Sequence, residues 1–416
     1  MFTLAVLIVF RLGVYIPAIG IDVNVLAELM NKATNFKGLL SYFDTFSGGS
    51  LQYCTIFALG ISPYITASIM MQMLSMTVPS LEALMKEGDY GRRLINQYTR
   101  YVALLLSLGY SFSYALYLSN ANVASTPGLI VNPGWGFIML FTLSLTVGSI
   151  VTMWLGEQIS LFGIGNGSSM IIFAGIVSRF PEVIAQLIGG THFLMALFVL
   201  TLFVVISGLI VFLEKGDRKI PVQYARRIIG QRVYGGQSTY IPFKINTAGV
   251  MPVIFAGSML NIPLFLMGLL AERFEMFKPV AQALTYNGVL YNALQFALII
   301  FFTFFYTAIA FNPTELADNI KKSGGFIPGI RPGKQTADFF DYILTRIGLV
   351  GAIYLGLLAI APSIVTGFLG LPFSVSGTSL LIMVGVALET SSQIESYLIE
   401  YKYGSFLSTG KMKSRA

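Results

Sequence analysis

Ten stretches of this sequence are long and apolar enough to cross a bilayer, and this feature constrains the fold more than any motif. They lie near residues 1–17, 56–77, 101–118, 136–155, 168–188, 193–213, 249–270, 290–310, 343–362 and 376–398. A spanning helix needs about 20 predominantly apolar residues, and lipid leaves only helices and closed barrels as ways to satisfy the backbone. Charged residues are 11% of the 416, against about 25% in soluble domains. The expectation is an all-α membrane protein with ten transmembrane helices. The run at 168–188 is the weakest, because Arg179, Pro181 and Glu182 interrupt it.

Charge placement supplies the topology. Of the 26 Lys and Arg residues, 20 fall in the segments 86–100, 214–244, 321–346 and the C-terminal tail, which then face the cytoplasm together with both termini. Ten spans independently require both termini on one side. Five spans precede Gly189-Gly190 and five follow, so a repeat of the halves 1–188 and 189–416 would be inverted. Inverted repeats place the functional site at their interface near the bilayer midplane. The start of the chain shows neither a basic n-region nor a cleavage site, so no removable signal peptide is expected. Two cytoplasmic loops, about 214–248 and 311–342, are too long and too patterned to be simple connections. The first alternates at Ile220, Val222 and Tyr224 and carries Gly235-Gly236, which reads as a protruding β-hairpin. In the second, Pro328, Gly329, Pro332 and Gly333 bracket Arg331 in a rigid double turn.

Several chemistries lack the residues they need. A single cysteine, Cys54, allows no disulfide framework and no cysteine-rich metal site. With His192 as the one histidine, no paired-histidine zinc motif exists. The segment Gly163 to Ser169, G-I-G-N-G-S-S, lacks the lysine of a phosphate loop and reads as a turn opening the fifth helix. No catalytic residue, metal or cofactor is expected, and any energy source must belong to a partner. Arg11, Glu157, Glu389 and Glu395 are the intramembrane charges that could couple an ion to transport. Glu157 lies at a span end, and Glu389 and Glu395 fall in the cytoplasmic half of the last helix. With no coupling carboxylate at the midplane, a secondary transporter of small solutes is the weaker reading, and an insertase or scaffold without a pore is weaker still.

The stretch Phe43 to Met76 reads F-D-T-F-S-G-G-S-L-Q-Y-C-T-I-F-A-L-G-I-S-P-Y-I-T-A-S-I-M-M-Q-M-L-S-M. Its first part, broken by Gly48-Gly49, is too short to span; from Phe57 it is expected to become a full-length helix entered through Gly60 and Pro63. Irregular backbone at membrane depth survives only where protein buries it or a wet cavity adjoins it. F-S-G-G followed by A-L-G-I-S-P-Y-I-T-A-S-I resembles the plug and second helix of the SecY family of protein-conducting channel subunits. The resemblance extends from R-L-G-V-Y-I-P-A-I-G-I at Arg11 to the tail. Family members usually carry a basic cytoplasmic segment before the first span, whereas this sequence starts inside it.

The resemblance implies two inverted five-helix halves, hinged as a clamshell around a central hourglass pore with a re-entrant plug helix. Its waist would be a ring of isoleucines at Ile65, Ile69, Ile172, Ile254 and Ile382, with Ser168 and Met251 as neighbouring ring-facing positions. Ser168 departs from the usual apolar choice. Read alone, such isoleucines more often mark lipid contact or packing than a pore. An apolar constriction excludes ions by dewetting. The plug, about 39–53 with Phe43, Phe46, Gly48 and Gly49, would close the outer funnel. A lateral gate would release apolar segments into lipid, with Gln72 and Asn261 as latching residues or as ordinary interhelical hydrogen-bonding residues. F-I-P-G-I-R-P-G resembles a loop signature of the family, whose arginine, here Arg331, is linked to engaging the SecA motor ATPase and the ribosome. Arg226, Arg227 and Arg232 would dock the same partners, binding ribosomal RNA phosphate or an acidic protein surface. Small SecE-like and SecG-like membrane subunits, the translocating polypeptide and membrane lipid complete the implied partners, in the cell inner membrane.

Overall fold

The computed structural model describes residues 1–22, 25, 48–51, 53–124, 128, 130, 132–190, 193–224, 227–229, 232–234, 238–260, 288–368 and 376–409. Each of the ten apolar runs contains a helix. These are α1 (Phe2–Gly13), α2 (Ser62–Thr77), α4 (Asp89–Ala124), α5 (Trp135–Phe162), α6 (Gly167–Gly190), α7 (Phe193–Lys215), α8 (Met251–Leu260), α9 (Val289–Ala310), α11 (Lys334–Phe368) and α12 (Gly377–Thr409). Two short helices lie between spans, α3 (Pro79–Lys86) and α10 (Pro313–Lys322). Among the described residues, windows in α4, α5, α6, α7, α9 and α11 are long and apolar enough to cross a membrane. The expected seventh span continues beyond α8 into 261–270, outside the described residues.

The second run differs from expectation. Its helix begins at Ser62 rather than Phe57, and residues 53–61 form successive turns. Two residues cause this. Gly60 adopts φ +54°, in the left-handed region, and Pro63 lacks an N–H and occupies the first helical turn, where none is required. Apolar composition cannot carry a helix through these two positions.

By internal packing the described residues divide into two units, 1–190 with 386–409 and 193–260 with 288–385. In the first, α2 packs on α4, α4 on α5, α5 on α6, and α1 on both α5 and α6. Leu51, Cys54, Ala58, Tyr114, Leu118, Phe141 and Leu145 form a core in which Phe137 and Phe141 stack at 5.3 Å. The irregular stretch therefore lies inside a bundle.

In the second unit α9 packs along α11, and the two long loops fold together. Strand β1 (Asp217–Tyr224) pairs antiparallel with β4 (Ser238–Lys244), from Asp217 opposite Lys244 to Gln223 opposite Ser238. Between them β2 (Arg227–Ile229) pairs with β3 (Arg232–Tyr234) in a short hairpin, while the expected turn at Gly235-Gly236 lies outside the described residues. The second loop adds β5 (Gly325–Phe326) to the free edge of β1. The fold is thus mainly helical with two small sheets. Ile220 and Val222 alternate inward from β1 and meet Phe243, Ile320, Phe340 and Leu344 in a compact core. Phe243 lies 5.5 Å from Phe340 and 6.0 Å from Phe311, ring to ring. Asn312 caps α10 by accepting from the Glu315 N–H, with Pro313 at the first helical position.

Phe340 is fully buried in this core. Phe340→Ala is expected to destabilise the sheet module by about 3–5 kcal/mol. Amide hydrogen exchange should quicken in β1 and β4 and stay unchanged in α4 and α5.

Candidate functional site

Residues 48–51 and 53–61 give an irregular backbone packed against α1, α4, α5 and α6, and specific groups answer its turns. Gly48 and Gly49 are buried at φ +69° and +94°. A Cβ on Gly48 would sit 2.8 Å from the Gly175 Cα of α6, so only glycine permits this approach. Arg11 Nη1 donates to the Gly48 carbonyl at 2.9 Å, while its guanidinium stacks over Tyr15 at 5.0 Å. Ser50 Oγ donates to the Phe57 carbonyl at 3.0 Å, and the Tyr114 hydroxyl donates to the Leu51 carbonyl at 3.0 Å. Cys54, the one non-glycine residue with positive φ among the described residues, places its Sγ 2.9 Å from the same hydroxyl. The Gly60 carbonyl accepts from Thr152 Oγ1 at 2.9 Å and Ser149 Oγ at 3.4 Å. A Cβ on Gly148 would sit 2.0 Å from the Ile56 oxygen. Small and hydroxyl residues at 148, 149, 152 and 156 thus give α5 a face that backbone can approach. That four-residue spacing is visible in the sequence, but the sequence reading did not use it.

The structure places the predicted waist residues as follows. Ile65 and Ile69 share one face of α2, and Ile172 lies on α6; all three are buried. The start of α2 and α6 meet at α5, where a Cβ on Gly156 would be 3.0 Å from Ile61 Cδ1 and 3.4 Å from Ile171 Cδ1. In the second unit Ile254 of α8 and Ile382 of α12 are buried and Met251 is half-buried. There a Cβ on Gly385 would sit 2.5 Å from Val250 Cγ2, so the elements bearing Ile254 and Ile382 touch. Ser168 lies in the first turn of α6, its hydroxyl donating to Asn166 Oδ1 at 2.6 Å. It sits about 6 Å along the axis from Ile172. Gln72 is half-buried on α2. Asn261, Phe43, Phe46 and Arg226 lie outside the described residues, as does most of 39–53.

The charges are disposed at the edges. Glu157 accepts a bidentate pair from Arg100, 2.8 Å at each oxygen, joining α4 to α5. Glu389 and Glu395 are exposed. None of these is the buried unpaired carboxylate that ion coupling would use. Arg331 is exposed between Gly329 and Gly333, at φ +85° and +108°, and its carbonyl accepts from Thr336 Oγ1 at 2.9 Å. No described acidic residue pairs with it. Arg227 and Arg232 occupy the β2–β3 hairpin, opposite Tyr234 and Ile229 respectively.

The model of the SecY family matches residues 55–391. The chain is 44% identical over 420 residues to the protein translocase subunit SecY of Escherichia coli strain K12, covering 99% of this chain and 94% of that one. It superposes with a TM-score of 0.64 and 19% identity on a SecY protein whose plug domain stabilises the closed state of the translocation channel, covering 99% of this chain and 93% of that one. It also superposes on Sec61 from the canine ribosome–channel complex, with a TM-score of 0.61, 17% identity, and coverage of 99% and 94%.

Tyr114→Phe keeps the ring in the core and removes the donor to the Leu51 carbonyl. It is expected to lower stability by about 1–3 kcal/mol, measured as a lower unfolding midpoint in detergent, with the α4–α5 core retained.

Proposed function

This chain belongs to the SecY family and is the channel subunit of a protein translocase; from that premise we propose how its residues divide the work. The waist is the ring of Ile65, Ile69, Ile172, Ile254 and Ile382, with Met251 and Ser168 beside it. The single observation that carries this reading is that all five isoleucines, drawn from the four helices α2, α6, α8 and α12, are buried in a chain with much exposed apolar surface. Uncharged branched side chains exclude ions by dewetting and offer a passing polypeptide no ionic grip. Ten spans in two inverted halves, 1–188 and 189–416, surround that waist, with both termini in the cytoplasm and the protein in the cell inner membrane.

Residues 39–53 act as the plug. The structural relative whose plug domain stabilises the closed state supports this, as does the anchoring of Gly48 by Arg11 and by the close approach of Gly175. A seam lined by Gln72 and Asn261 releases apolar segments sideways, a transfer favoured by roughly 25 cal/mol per Å² of apolar surface. Arg331, held on a rigid double turn, and Arg226, Arg227 and Arg232 on the hairpin dock a SecA-like motor or a ribosome. The canine relative occurs in a ribosome–channel complex, which supports the second partner. SecE-like and SecG-like subunits accompany the chain in the membrane. The chain is not a catalytic enzyme, and the energy for transport comes from the docked partner.

Deleting 39–53 or replacing Ile69 by Gly is expected to raise the ion conductance of the reconstituted protein on the order of tenfold, because a wider or unplugged waist stays wet. Silence of both variants, with ion-coupled exchange of a small solute, would favour the transporter instead. Arg331→Glu should abolish motor-driven translocation while leaving resting conductance at the wild-type level. A change in resting conductance would assign Arg331 to the gate rather than to docking.

A further inference from the structure

The loop between α5 and α6 is held by more foreign side chains than a connection needs. It runs Gly163 to Asn166 before α6 begins at Gly167. The Ile164 N–H donates to Thr3 Oγ1 of α1 at 3.1 Å, and the Gly167 N–H donates to Ser160 Oγ of α5 at 2.9 Å. Asn166 Oδ1 accepts from the Ser168 N–H at 3.1 Å and so caps α6. The Gly165 N–H donates to Gln393 Oε1 of α12 at 2.7 Å. Glycine is required where the loop turns and touches. Gly165 has φ +86°, and a Cβ on Gly167 would fall 1.8 Å from the Gly156 oxygen. The loop is therefore fixed on α1 and α5, and its contact with α12 is what varies if α12 moves. A second contact lies alongside it, Thr390 Oγ1 donating to Met170 Sδ at 3.4 Å.

We propose that Gln393 is a positioning residue that fastens α12 to the α5–α6 loop and thereby sets where the waist isoleucine Ile382 stands; this rests on the waist reading above. Gln393 follows Ile382 by 11 residues, which is three helical turns to within about 20°, so the two share a face about 16 Å apart. Turning or sliding α12 moves both together. Ile382 itself is buried, and burial of an apolar side chain resists displacement without direction, whereas the Gln393 bond defines one azimuth and one height. The waist-bearing helix is thus aligned from its polar cytoplasmic half.

The bond uses glutamine only as an acceptor, which makes the test specific. Gln393→Leu removes the acceptor at similar volume, and Gln393→Met serves as a second acceptor-free variant should the first not accumulate. Gln393→Glu keeps an acceptor oxygen at the same reach. Open-channel probability of the reconstituted protein is measured for each, with Ile382→Gly as the control for the waist. Loss of one hydrogen bond shifts a two-state equilibrium by about fivefold, so the acceptor-free variants should open about fivefold more often and Gln393→Glu should match wild type. A leaking Ile382→Gly beside silent acceptor-free variants overturns the proposal and spares the waist. Equal leakage from Gln393→Glu and Gln393→Leu also overturns it, because the acceptor would then be irrelevant. Silence of Ile382→Gly with all the others overturns the waist reading itself, and the proposal with it.

Discussion

A backbone that leaves helical geometry inside a membrane must find every hydrogen bond within the protein. An unmade bond costs about 1–3 kcal/mol in a soluble protein and several in hydrocarbon. The turns at 48–61 meet this demand, and the first unit is arranged to supply the partners. Arg11 from α1, Tyr114 from α4, and Ser149 and Thr152 from α5 each reach a carbonyl that no helix can satisfy. The packing of α1, α4 and α5 around the stretch follows from those contacts as much as from apolar burial. The glycines of α5 belong to the same solution, because a hydroxyl can reach a carbonyl only where the two backbones come close.

The sheet module outside the apolar spans solves the opposite problem. In water, open strand edges are tolerated, and backbone groups there need no internal partner. A two-residue β5 covers part of one edge of β1, while Phe243, Phe311 and Phe340 clamp the sheet to α10 and α11. This gives a rigid base beneath Arg331, whose own turn is set by two glycines at positive φ and one threonine hydroxyl. A long cation presented on a rigid turn loses less freedom on binding than the same residue on a loose loop.

The sequence makes some of this legible and hides the rest, for identifiable reasons. The helix in each of the ten apolar runs announces itself because length and apolarity are local properties. The alternation at Ile220 and Val222 likewise reveals β1, since a strand with one buried face has period two. The start of α2 is misread from Phe57 because the apolar run continues through Gly60, where backbone conformation rather than hydropathy decides. The edge strand β5 is invisible, being two residues long and defined only by a partner about a hundred positions away. The inner β2–β3 hairpin is hidden because its strands are three residues each and carry no alternation long enough to read. In the sequence, the waist role proposed for the isoleucines rests on family resemblance, since an isoleucine facing a pore and one facing a neighbour have the same local pattern.

An apolar constriction has one physical weakness, which is that dispersion and burial are nearly indifferent to small rotations of the helices that form it. Individual contacts are worth only about 0.1–0.2 kcal/mol and can be exchanged for others. A ring of isoleucines therefore cannot define its own aperture; something directional must. In this chain the directional groups stand above and below the isoleucines rather than among them. On α2 the helix is started by Gly60 and Pro63, with the Gly60 carbonyl held by Thr152, one turn before Ile65. On α6 the start is held by Asn166 and Ser160, one turn before Ile172. Hydrogen bonds fix the ends of these helices in height and azimuth, and helical geometry carries that setting one turn inward to side chains that make no directional bond. The proposed waist can then stay free of polar groups, which would wet it, while still occupying defined positions.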